Sequence, residues 1–126
     1  MRMRKTRNPQ EYLRRCEELL RNASNAGIMT KVNVLLFPGE TKETLAETIR
    51  WLQSHASDIT GVSVYPAVYY GFNRERDPIC AYYCGLGASA AGIRGYGGIV
   101  MMNLSAEMPA DEAEASARGI AAMFMD

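Results

Sequence analysis

The stretch Lys31-Val-Asn-Val-Leu-Leu-Phe-Pro-Gly-Glu-Thr41 decides how this chain is organised. Val32, Val34, Leu35, Leu36 and Phe37 form a nearly continuous apolar run in which Asn33 is the polar exception. A short run of this kind reads as a strand buried on both faces, as in a parallel sheet. Pro38 and Gly39 stop it, because proline lacks the ladder N–H and glycine permits a sharp turn. Thr41 can cap a following helix, and Glu40 and Glu43 stand where the positive end of that helix favours acids. Strand, turn and helix start are thus contiguous. The turn falls at the carboxyl end of the strand, where parallel α/β folds bind ligands.

Upstream, Asn8-Pro9-Gln10-Glu11 has the form of a helix start, with Asn8 as cap, Pro9 at the first helical position and Glu11 placed for a capping box. Tyr12, Cys16, Leu19 and Ala23 recur at spacings of three and four, with Leu13 and Leu20 beside them, which predicts one apolar face. Gly27 ends this helix, and the strand is expected over 28–37. Downstream, the second helix is expected over 42–56, burying Leu45, Ile49, Leu52 and Ala56. Trp51 falls at the rim of that face, and His55, the single histidine, reads as a surface residue. Gly61-Val-Ser-Val-Tyr-Pro66 follows as a second strand. Strand, helix and strand in this order imply a right-handed parallel crossover.

Beyond Pro66 the pattern weakens. Tyr65, Tyr69, Tyr70 and Phe72 cluster, residues 73–78 read as a charged loop, and glycine and alanine dominate 85–98 without a period. The span 73–98 is therefore expected to be the least regular part, and a linker could lie within it. Ile99 to Leu104 predicts a third strand. A last helix starts at or just after Ser105, with Ala113, Ala117, Ile120 and Phe124 on its buried face. The domain division read from this pattern is 1–72 and 73–126.

The chain has 126 residues, 48% of them hydrophobic, so it can bury the core of one modest domain. Its formal net charge is zero, which gives no case for nucleic acid as a general partner. Arg2, Arg4, Lys5 and Arg7 at the amino end read as a solvated tail. No apolar run reaches the length of a membrane span, which is about 18 residues. Three cysteines are too few for a disulfide scaffold, and the odd count fits a reducing, cytoplasmic setting.

Cys80 and Cys84 lie one helical turn apart, which is half a metal site at best. A cluster motif Cys-x3-Cys-x2-Cys would need cysteine where Gly87 stands. Gly85-Leu-Gly-Ala-Ser-Ala90 matches the dinucleotide pattern G-x-G-x-x-A, but Gly92 and Gly95 follow too soon for the helix such a site needs. Asn33 is the informative oddity. A polar side chain inside an apolar strand is costly unless hydrogen-bonded, so it should point inward, either to a ligand or to neighbouring backbone.

The ordered set Ala26-Gly-Ile-Met-Thr-Lys-Val-Asn-Val-Leu-Leu-Phe-Pro-Gly-Glu-Thr41, Glu47-Thr-Ile-Arg-Trp-Leu52 and Gly61-Val-Ser-Val-Tyr-Pro66 resembles the later part of a radical S-adenosylmethionine (radical SAM) enzyme. Lys5-Thr-Arg7, Tyr12-Leu13, Asn103-Leu-Ser105 and the alanine-rich last helix add to the likeness. The resemblance covers most of 5–72 and, more weakly, 99–124. It implies an α/β fold, a parallel βαβ wedge of a TIM-like partial barrel with a carboxyl-terminal strand-helix extension. It implies S-adenosylmethionine and a [4Fe-4S] cluster in the complete enzyme, with the cluster ligands outside this chain. It makes Asn33 and the backbone of Val64 and Tyr65 candidate S-adenosylmethionine contacts. The function this implies is a barrel-wall segment, inactive alone, whose partner is a missing amino-terminal half or a second copy of itself. The substrate, a small molecule or a peptide, is not indicated. The competing reading is a small non-enzymatic α/β interaction module using the tyrosines of 65–72. A nucleotide binder using Gly85–Ala90 is a third.

Overall fold

A computed structural model describes residue 3 and residues 5–70, 76–93 and 99–125. Helix α1 (Pro9–Asn25) leads into strand β1 (Lys31–Leu36), helix α2 (Lys42–Ser54), a 3-10 turn (Ala56–Asp58) and strand β2 (Gly61–Pro66). Strand β3 (Val68–Tyr70), helix α3 (Pro78–Gly85), strands β4 (Ser89–Ile93) and β5 (Ile99–Asn103), and helix α4 (Ala110–Met123) follow.

The local signals around β1 act as their chemistry requires. Asn8 accepts a hydrogen bond from the Glu11 backbone N–H at 3.1 Å and Pro9 follows it. Glu11 does not close a capping box; its carboxylate is taken by Arg14 at 2.7 Å and Arg15 at 3.2 Å. Gly27 adopts φ 76° just after the α1 cap, a conformation that penalises any side chain. Thr41 caps α2, accepting from the Thr44 N–H at 3.2 Å while the Thr44 hydroxyl accepts from the Thr41 N–H at 2.8 Å.

β1 and β2 pair in parallel from Lys31 opposite Gly61 to Leu36 opposite Pro66. β3 and β4 flank β5 in a separate antiparallel sheet, with a register shift between Ala90 and Gly92. Only Ala67 separates β2 from β3, so the chain passes almost straight from one sheet into the other. The Ala67 N–H still bonds the Leu36 carbonyl, at 2.8 Å. One core joins both sheets to α4: Leu36, Leu52 and Val64 meet Met102, Leu104 and Ile120. α4 lies against β2 and β5, and Ala113 and Ala117 on its buried face let the backbones come close.

Several expectations need correction. The architecture is mixed α/β, a small parallel pair plus an antiparallel sheet, and the described residues close no barrel. The first strand is shorter than expected, with Ile28 and Met29 exposed ahead of it. β1 is not buried on both faces. Lys31, Asn33 and Leu35 are exposed, whereas Val32, Val34 and Leu36 turn inward, because no described layer covers the first set. α1 buries only Leu20; Leu19 on its apolar side is 68% exposed. His55 is half-buried rather than on the surface, since its side chain meets Glu17 of α1. α3 and β4 lie in the span expected to be least regular, β3 lies in the tyrosine cluster before it, and Pro78 opens α3 with Asp77 as its cap instead of ending a loop. Ser105 and Met108 form a bridge, and α4 starts after Pro109. Phe72, residues 73–75 and residues 94–98 lie outside the described residues.

Candidate functional site

The turn after β1 looks, from its sequence, like the place for a ligand. In the structure it is closed on itself. Leu36, Phe37 and Pro38 are buried, and so is Glu40, the one charged residue buried in the described core. Gly39, at φ 90°, gives its N–H to the Leu104 carbonyl at 2.7 Å. The Glu40 carboxylate accepts from the Thr44 hydroxyl at 2.6 Å, and the Glu40 carbonyl accepts from the Ser105 hydroxyl. A buried polar side chain is costly without such partners. Pro38–Thr41 is therefore a clasp between the parallel unit and the end of β5. Glu40, whose carboxylate is bonded to Thr44, also borders a groove along β1.

The accessible chemistry lies instead on the uncovered face of the parallel pair. Parallel register places Asn33 beside Ser63 and Leu35 beside Tyr65. Asn33 is exposed, not inward-pointing as the apolar run suggests, so its side chain needs no internal partner. Tyr65 is 62% exposed, a large aromatic surface at the carboxyl end of β2. Val64 turns its side chain into the core, which leaves its backbone as the part able to meet a ligand.

Two grooves meet at Leu35. One, of about 730 Å³, follows β2 and β3 and is lined by Val64, Tyr65, Tyr70 and Arg118 among others. The other, of about 700 Å³, runs along β1 between α1 and α2 and takes in Asn33, Cys16, Glu47 and Trp51. A third groove, of about 640 Å³, runs along β2 from Gly61 to Tyr65 beside Arg118, Phe124 and Met125. The three expected site residues therefore divide, Asn33 in the second groove and Val64 with Tyr65 in both the first and the third.

The tyrosine cluster also divides. Tyr69 is buried, and its hydroxyl donates a hydrogen bond to the Asp77 carboxylate. That bond, with the Ile79 N–H, holds the Asp77 carboxyl below its ordinary range. Tyr65 and Tyr70 remain outside, at 62% and 70% exposure. Gly85-Leu-Gly-Ala-Ser-Ala90 runs from the end of α3 through a turn at Gly87 into β4. Helix, turn and strand is the reverse of the order a pyrophosphate site needs.

A [4Fe-4S] cluster requires several thiolates converging on one point. Among the described residues no three His, Cys, Asp or Glu side chains gather into a group able to hold a metal. Cys16 is on α1, and Cys80 and Cys84 are on α3. The residues present do not fit such a cluster. No described helix is long and apolar enough to cross a membrane.

Arg118 missed recognition in the sequence because its helix reads as alanine-rich packing. Its spacing one residue from the buried Ala117 was the available signal, since that places it at the margin of the buried face. In comparison with known proteins, no family model matches the chain, and neither a curated protein nor a solved structure does.

Proposed function

We propose that this chain is a wall segment of a radical SAM enzyme, inactive alone, which supplies part of the S-adenosylmethionine and substrate surface. The observation that carries the reading is the open parallel pair. Parallel strands normally have both faces covered, yet here Asn33, Leu35, Ser63 and Tyr65 share an uncovered face, and β1 has one unpaired edge among the described residues. A wedge cut from a larger sheet has these features. On this reading Asn33, the Val64 backbone and Tyr65 contact S-adenosylmethionine, and the cluster thiolates come from another segment. The Asn33 amide offers donors and an acceptor, and Tyr65 offers a ring on which a base can stack. The partner is an amino-terminal half or a second copy, and the setting is cytoplasmic.

The exposed pair Tyr65 and Tyr70 favours a second reading, a non-enzymatic module that binds a protein partner through this aromatic surface. Titration of the isotopically labelled chain with S-adenosylmethionine separates the two. The first reading expects amide shifts centred on Asn33, Val64 and Tyr65, weakened by Asn33→Ala and Tyr65→Ala. Saturating ligand that leaves these three amides unmoved removes the first reading and leaves the second.

A further inference from the structure

The groove along β1 is bounded by a helix with little hold on the rest of the protein. Successive residues from Val32 to Leu35, drawn from both faces of the strand, line this groove. It must therefore follow the strand edge, and β1 is paired only with β2 among the described residues. Tyr12, Leu13 and Cys16 of α1 form one wall; Thr48 and Trp51 of α2 form the other.

α1 is nearly self-contained. Its arginine pairs among the described residues, Arg14 to Glu11 and Glu18 and Arg15 to Glu11, stay within the helix. Leu20 is its one buried residue and does not belong to the main core. Among the described residues its side-chain tie to α2 is a single oxygen: Glu17 Oε1 accepts from Trp51 Nε1 at 3.3 Å, and the His55 ring, just past the end of α2, lies 3.3 Å from the same oxygen. Trp51 in turn packs against the main core. After α1, the N–H groups of Ala26, Gly27 and Ile28 all bond back into the helix. Firm attachment to the sheet resumes at Thr30, whose carbonyl accepts from the Thr60 N–H at 2.8 Å. Between them lie exposed Ile28 and Met29.

We infer that α1 is a hinged cover over the open edge of β1, with Glu17 as its latch and Ile28–Met29 as its hinge. Closed, it shields a strand edge whose unpaired N–H and C=O groups would otherwise template pairing with another chain. Open, it presents that edge. Segments with few buried apolar contacts open well below the cost of global unfolding, and α1 has one such residue. Removing Glu17 leaves the Trp51 N–H without its acceptor and the His55 ring without its neighbouring carboxylate, so the closed form alone is penalised.

Native-state hydrogen exchange on the whole chain tests this. α1 amides should exchange about a hundredfold faster than those of α4, by local opening. Glu17→Ala should speed α1 exchange about tenfold, together with the β1 amides not bonded to β2, and leave α4 unchanged. Trp51→Phe, which keeps an aromatic ring and removes the N–H, should act in the same direction with a smaller effect. The inference is overturned if α1 is as protected as α4, or if Glu17→Ala speeds all helices equally. It is also overturned if α1 opens without exposing the β1 amides.

Discussion

α1 and α4 are the two longest helices described, and they show what an amphipathic pattern does and does not specify. α1 has 17 residues and the cleaner separation of apolar from polar faces, yet it buries only Leu20. α4 has 14 residues and a blurred pattern of alanines, yet Ala113, Ala117 and Ile120 are all buried. The difference lies in what stands opposite. α4 faces β2 and β5 across a core shared by both sheets, and its small residues permit close approach. α1 borders the groove along β1, and of its residues only Leu20 finds full cover. Periodicity identifies the side of a helix that wants cover; the presence of the cover is a property of the rest of the assembly.

The largest expected effect follows from that contrast. Ile120→Ala should destabilise the chain by about 2–5 kcal/mol, through lost burial and a residual cavity. Leu19→Ala, on the apolar side of α1, should change stability by less than about 0.5 kcal/mol. Urea unfolding midpoints of the two variants check the pair. Similar losses would mean that α1 is a full member of the core and would break the comparison.

A smaller effect concerns acid. The Arg14 guanidinium, with help from Arg15, lowers the Glu11 carboxyl from 4.5 to about 2. A carboxyl depressed on folding contributes stability above its ordinary range and loses it as pH falls through the depressed value. α1 should therefore begin to fray between pH 4.5 and about 2 while α4 persists. Both side chains reach solvent, so the change should be slight and should shrink further in about 1 M salt. Residue-resolved helical shifts across an acid titration measure it. Fraying of α4 before α1 would contradict the ordering.

Legibility from sequence followed the same physics. The caps at Asn8 and Thr41 and the left-handed glycine at 27 were readable because their chemistry is local. β2 and the buried face of α4 were readable from period alone. α3 was not: Pro-Ile-Cys-Ala-Tyr-Tyr-Cys-Gly is apolar all round and shows no face. β4, Ser-Ala-Ala-Gly-Ile, consists largely of poor strand formers and owes its state to pairing with β5. β3 has only three residues. The orientation of Asn33 was misread for the reason α1 was, since an apolar run does not reveal that one side of its sheet is uncovered. The candidate residues were legible only as positions on strands. Which grooves they line depends on α1 and α4, which no local signal places.

Anaerobic incubation of the purified chain with iron and sulfide is the most direct test of the claim that the chemistry lies mostly outside this segment. The account predicts a colourless protein that leaves S-adenosylmethionine intact, because Cys16, Cys80 and Cys84 are divided between α1 and α3 and form no metal-holding group among the described residues. Stoichiometric iron uptake, giving a brown protein that cleaves S-adenosylmethionine, would contradict it.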